Sequence, residues 1–246
     1  TLQRLQNIST AASDRHVKST RLLLLTLGAL GVGSLLLALL VGSSAAGAGT
    51  LLDWWHGTAA PEAIEVMFRL RLPRALAAFG TGAALAVAGA LMQVLLRNPL
   101  ADPYVLGTSS GAAVTALGAM LLGASGLTVD MAAFGGALGS TLLVFGLARG
   151  TGAWSTDRLL LTGIVVAAGW SAVVSLMLAI SPDTKLRGII FWLMGDFAFV
   201  EQPGSILLVA AIGVVGGLLL ARTLDVLGTG DRQAALLGLE VRRTRV

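Results

Sequence analysis

The stretch ALAAFGTGAALAVAGALMQVLL, from Ala75 to Leu96, carries no charged side chain and one long polar one, Gln93. At ~1.5 Å of rise per residue it is long enough to cross ~30 Å of hydrocarbon as a helix. Five more charge-free stretches of similar length flank it: Leu22 to Val41, Tyr104 to Leu122, Met131 to Ala148, Leu159 to Ile180 and Pro203 to Ala221. Lipid offers no partner for backbone N–H and C=O groups, so each stretch is expected to satisfy its own as a helix. The expected fold is all-α, a polytopic transmembrane helical bundle with six spans. The apolar run of Leu22 to Val41 exceeds that of an ordinary signal peptide, so it is read as a span despite the small residues after it.

Composition agrees with that reading. Hydrophobic residues make up 55% of the 246 and charged residues 12%, with a mean hydropathy of +0.84. That is more apolar surface than a soluble core can bury. The 32 glycines suit membrane helices that pack closely. A net charge of +4 brings no nucleic-acid reading, because the basic residues are spread over short loops rather than gathered in a patch. Cysteine is absent, and His16 and His56 are the only imidazoles, so neither a thiolate nor a histidine-built metal site is expected.

With the N-terminus inside, the inner segments hold 12 of the 17 basic residues and the outer ones 5. The basic excess therefore places the N-terminus in the cytoplasm. Residues 1–21 are expected to form a cytoplasmic segment, 22–222 the transmembrane bundle, and 223–246 a cytoplasmic region.

Catalytic signatures are missing. The sequence has no phosphate-binding G-x-x-x-x-G-K-[ST] loop, no H-E-x-x-H pair and no G-x-S-x-G elbow. The six charge-free stretches also lack the embedded ionisable groups that ion-coupled carriers use. No catalytic residue, resident metal or cofactor is expected, and a transporter built this way must draw its energy from a partner.

Four segments stand out. Phe68 to Arg74 sets three arginines and Pro73 just before the second span, on the outer side, against the positive-inside trend. Such a cluster, opening with proline at a helix start, suits an acidic partner surface, since the planar guanidinium pairs carboxylates bidentately. Arg97 to Gly111 holds Pro99 and Pro103 in a stiff inner turn. A run of small residues follows, as a close helix crossing or a pore lining requires. Leu186 to Phe197 is aromatic and too short to span, which fits an interfacial or re-entrant helix. Its Phe191, Trp192, Met194 and Asp196 are open between interface anchoring and lining an outer vestibule. Asp231 to Arg243 has an amphipathic helical pattern. It is open between lying on lipid and docking a cytoplasmic motor. Gly107 with Gly111, Gly135 with Gly139, and Gly213 with Gly217 are spaced for close helix packing.

In this order and spacing the segments resemble the permease family of ABC importers for ferric siderophores, haem and cobalamin. The matching motifs are R-L-P-R at Arg71 to Arg74, N-P-L-A-D-P-Y-V-L-G at Asn98 to Gly107, and S-S-G-A at Ser109 to Ala112. R-L-L-L-T-G at Arg158 to Gly163, F-W-L-M-G at Phe191 to Gly195 and A-x-x-L-G at Ala234 to Gly238 complete the set.

The resemblance implies roles. Arg71 and Arg74 receive glutamates of a periplasmic substrate-binding protein. Asn98 and Leu100, with Ser155 and Thr156, form a cytoplasmic gate. Ala234, Leu237 and Gly238 belong to a coupling helix seated in an ATPase subunit. The partners implied are two ATPase subunits binding ATP-Mg, a second permease copy forming a homodimer, the substrate-binding protein and the lipid bilayer, with no nucleic acid. The location implied is the bacterial inner membrane. Family members have about ten spans, each crossing the hydrocarbon, so six here implies that the rest of the permease domain is missing from this sequence. Asp196 departs from the small or uncharged residue the family pattern leads one to expect.

The expected function is ATP-driven import of a metal chelate by alternating access. Ferric siderophore ranks first as cargo, then cobalamin and haem. A secondary transporter and a structural subunit of a membrane complex are the alternatives.

Overall fold

The computed structural model describes residues 2–42, 47–149, 155–198, 200–228, 230, 233 and 236, with side chains from residue 19 onward. Among the described residues there are helices and no strands. They are α1 (Leu2–Leu40), α2 (Ala48–Trp55), α3 (Pro61–Glu65), α4 (Leu72–Leu96), α5 (Thr108–Leu121), α6 (Leu127–Arg149), α7 (Thr156–Ile180), α8 (Asp183–Met194) and α9 (Gly204–Gly228). A π-helical stretch, Val66–Arg71, joins α3 to α4, and a 3-10 turn, Pro103–Leu106, precedes α5.

Five stretches are long and apolar enough to cross a membrane: Ser19–Leu40, Pro61–Leu96, Leu127–Arg149, Thr156–Ile180 and Gly204–Gly228. Their outer faces are apolar, with Leu25 71% and Leu219 79% exposed. That much bare leucine is stable only against acyl chains.

The sixth expected span, Tyr104 to Leu122, does not form one long helix. Gly107 adopts a left-handed conformation (φ 67°), which ends the 3-10 turn and starts α5 afresh. The 14 residues of α5 rise about 21 Å, short of the hydrocarbon thickness.

Helix starts also differ from the charge-free windows. The second span runs from Pro61, well before Ala75, so Pro73 lies inside a helix rather than opening one. A proline there removes one N–H and presses its ring on the carbonyl four residues back. The π-helical turn immediately before it widens the backbone where that strain falls. Charged residues end a charge-free window, but helices continue into the headgroup layer, where charge is tolerated. Asp130 in the first turn of α6 and Arg149 in its last turn suit the helix dipole.

The chain divides into two compact units. One comprises Thr1–Gly80 with Ala198–Leu207, the other Thr81–Phe197 with Leu208–Val246. In the first, Phe79 packs over Gly31, and Ile206 and Leu207 lie against Gly80. The Trp54 and Phe68 rings meet at a centroid distance of 5.3 Å, tilted by 50°.

In the second unit α5 and α6 cross at close range. A Cβ on Gly111 would come within 2.8 Å of the Gly136 carbonyl oxygen, so only glycine permits this approach. Thr115 Oγ1 donates to the Ala132 carbonyl of α6 at 2.7 Å. The expected pair Gly135 and Gly139 is not the one used: both face open space, and Gly136 with Ser140, one residue on, forms the contact. A Cβ on Gly213 or Gly217 would meet Val87 at ordinary contact distances of 3.9 and 3.6 Å.

Candidate translocation path and its gates

The arginines of the Phe68 to Arg74 segment lie in the first unit. Arg71 is half-buried, and its Nη1 donates to the Leu39 carbonyl at 2.9 Å, in the last turn of α1. Carbonyls in the last turn of a helix lack intrahelical donors, and a cation at a helix C-terminus is favoured by the dipole. The end of α1 is thereby tied to the π-helical stretch that precedes α4. Arg74 is exposed, with Nη2 donating to the Ala198 carbonyl at 2.7 Å. Arg69 pairs with Glu65 four residues back at 3.3 Å, both side chains exposed, a geometry that contributes little.

The Asn98–Gly107 turn lies in the second unit. α4 closes on Arg97, whose φ of 48° is the one positive value outside glycine among the described residues. Its N–H reaches the Val94 carbonyl at 3.3 Å and the Asn98 N–H reaches the Gln93 carbonyl at 3.2 Å. This is the bond pair that ends a helix on a left-handed residue. Asn98 Oδ1 then accepts from the Leu100 N–H at 2.9 Å, and Asp102 Oδ1 from the Tyr104 N–H at 2.7 Å. Two side-chain-capped turns thus build the Asn98–Tyr104 stretch, for which Asn and Asp are the suited residues. They leave Leu100 protruding, 88% exposed.

At the same end of this unit α7 begins. Ser155 Oγ caps it by accepting from the Arg158 N–H at 3.3 Å. Thr156 is the first helical residue and half-buried. Beneath both segments lies one apolar cluster of Met92, Leu96, Ala101, Leu106, Val144, Ala148 and Leu159. It ties the end of α4, the turn, the end of α6 and the start of α7 together. The structure therefore brings Asn98, Leu100, Ser155 and Thr156 to one end of the unit.

α8 runs antiparallel to α5. Lys185 Nζ donates to the carbonyls of Leu121 at 2.7 Å and Met120 at 3.3 Å, at the C-terminus of α5. Seven residues on, Trp192 with Leu193 reaches Thr108, Ser109 and Ala112 near the N-terminus of α5. Together they line an open concavity of about 380 Å³. A second one, about 400 Å³, lies on the α7 side of α5 and includes Ser110, Ser171 and Ser175. Neither wall contains a charged side chain. Of the four vestibule residues expected from sequence, Trp192 lines the first of these two concavities. Phe191, Met194 and Asp196 are exposed outside it. Tyr104, Ser109 and Ala113 line both concavities. The small-residue run pointed to their neighbourhood, but Ser171 and Ser175 had no motif to mark them.

Ala234, Leu237 and Gly238, the expected coupling residues, lie outside the described residues. Among the described residues no cluster of His, Asp or Glu could hold a metal ion.

Comparison with known proteins joins these features. The model of the FecCD transport family matches residues 27–246. The chain belongs to that family. Among its relatives, the vitamin B12 import system permease protein BtuC of Escherichia coli O6:H1 (strain CFT073) is 39% identical over 211 residues. That match covers 83% of this chain and 63% of the relative. BtuC of Escherichia coli strain K12 / DH10B is 37% identical over 220 residues, covering 88% and 65%. The chain thus spans under two thirds of the length of these FecCD-family relatives. A solved ABC transporter assigned to the metal-chelate type, in an inward-facing conformation, superposes with a TM-score of 0.71 at 29% identity. It covers 90% of this chain and 68% of the solved one.

Proposed function

We propose that this chain forms membrane-spanning permease structure of an ATP-driven importer, carrying a metal chelate from periplasm to cytoplasm across the bacterial inner membrane by alternating access. The observation that carries the reading is α8. It is 12 residues long, about 18 Å of helix, too short to span. It begins level with the C-terminus of α5 and ends beside the N-terminal half of that helix. A helix end at membrane depth leaves carbonyl groups without partners unless it abuts protein or water. An uncharged, hydroxyl-bearing concavity at that end suits a water-filled path that shields a bulky cargo without holding it tightly.

The FecCD-family match, the relatives named for vitamin B12 import and the metal-chelate solved structure support a chelate as cargo. Cobalamin and ferric siderophore are the two leading candidates, with haem third. In this reading a partner pair of ATPases binds and hydrolyses ATP-Mg, and the 234–238 segment transmits their closure. A second permease copy completes the path, and a periplasmic binding protein docks at Arg71 and Arg74. The N-terminus faces the cytoplasm.

The test is uptake by vesicles holding the assembled transporter. Radiolabelled cobalamin and ferric siderophores are offered with the cognate binding protein, with and without internal ATP. Uptake of one chelate that requires ATP supports the reading. Accumulation driven by a proton or sodium gradient without ATP contradicts it.

A further inference from the structure

Ser140 sits on α6 and is 1% exposed. Its Oγ accepts from Trp170 Nε1 of α7 at 3.1 Å. Its own proton goes to the Gly107 carbonyl at 2.9 Å, with the Leu106 carbonyl 3.2 Å away. One hydroxyl therefore joins α6, α7 and the point where the inner turn passes into α5. Gly107 is the left-handed residue at that joint.

A second grip lies one turn away. Gly163 of α7 abuts the Val105 carbonyl so closely that no Cβ fits. A Cβ on Gly107 would meet the Ala167 backbone at 3.4 Å. Gly163, Ala167 and Trp170 follow the spacing of one helix face. Along that face α7 holds the 3-10 turn at Val105 and at Gly107. The buried hydroxyl both donates and accepts, and a buried hydrogen-bonded link of this kind favours one discrete arrangement.

We propose that Ser140 and Trp170 are positioning residues that make the two gate segments, the Asn98–Gly107 turn and the start of α7, move as one body. The proposal rests on the reading of those segments as a gate. α7 carries Ser155 and Thr156 at its first turn, and the turn carries Asn98 and Leu100. With the link in place, a displacement of α7 carries the turn with it. Without it, α7 moves while the turn lags, and the path leaks or stalls.

The chain has no cysteine, so a single introduced thiol reports one position. Leu100→Cys and Arg158→Cys are made separately in the assembled transporter, and their labelling rates are followed with and without ATP and vanadate. With Ser140 intact, both rates change together between the two states. In Ser140→Ala the two responses separate, and chelate moved per ATP falls about fivefold or more, the loss of one buried hydrogen bond. A merely destabilising change would raise both labelling rates in parallel in every state. Trp170→Phe breaks the same link from α7 and serves if Ser140→Ala does not assemble. Joint responses with normal chelate per ATP in these variants overturn the proposal. If neither position responds to nucleotide with Ser140 intact, the gate reading itself fails and takes the clamp with it.

Discussion

Lys185 Nζ lies 2.7 Å from the carbonyl oxygen of Leu121, so the first turn of α8 is pinned to the last turn of α5. A half-buried ammonium caps the Leu121 carbonyl and shares the Met120 carbonyl with the Gly123 N–H, and its charge opposes the negative helix end. Lys185→Met should destabilise the fold by about 1–2 kcal/mol and loosen α8. Lys185→Arg keeps donor and charge and should recover most of that. Thermal unfolding in detergent measures the difference. Equal melting of the Met and Arg variants would remove the cap from the account.

The outer arginines divide by burial. Arg74→Glu, at an exposed site, should weaken docking of the binding protein by about tenfold or more at low salt, because it sets like charges face to face. Its effect on melting should be small. Arg71→Glu should weaken docking and also lower the melting temperature, since its guanidinium caps α1 at Leu39. Binding measured at two salt concentrations, beside melting curves, separates the two. Unchanged docking in Arg74→Glu would remove this residue from the interface.

At Arg97 the backbone carries a left-handed φ that a side chain disfavours by about 1 kcal/mol. Comparing Arg97→Gly with Arg97→Ala cancels the loss of the side chain. The glycine variant should be the more stable by about 1 kcal/mol. A more stable alanine variant would contradict the turn geometry.

Gly163→Ala should cost more than about 2 kcal/mol, because its methyl meets a backbone carbonyl that cannot step aside. Gly169→Ala, on the same helix with open space around it, should be neutral or mildly stabilising. Chemical or thermal unfolding of the pair reads the contrast directly.

Charge-free length made the long helices legible, because membrane insertion depends on that quantity. It misplaced their ends for the same reason: Glu65, Arg69, Asp157 and Arg158 lie within helical stretches that extend beyond the charge-free windows. It also counted Tyr104–Leu122 as a span, since hydropathy does not register that Gly107 turns left-handed. The inner turn was readable from Asn98, Pro99, Asp102 and Pro103, whose local bonds determine its shape. The packing face of α6 was not. Gly135 with Gly139 and Gly136 with Ser140 share the same spacing, and only the neighbouring helices decide which pair turns inward. Ser140 and Trp170 carry no sequence signal at all, since their importance lies in meeting across three helices.

The central claim is that a bundle without embedded charge or nucleotide pocket is driven by an ATPase partner. The direct measurement is chelate uptake in vesicles carrying the permease with its binding protein, with the ATPase subunits either present or omitted. The account predicts ATP-dependent accumulation only when they are present. Uphill accumulation by the permease alone would contradict it.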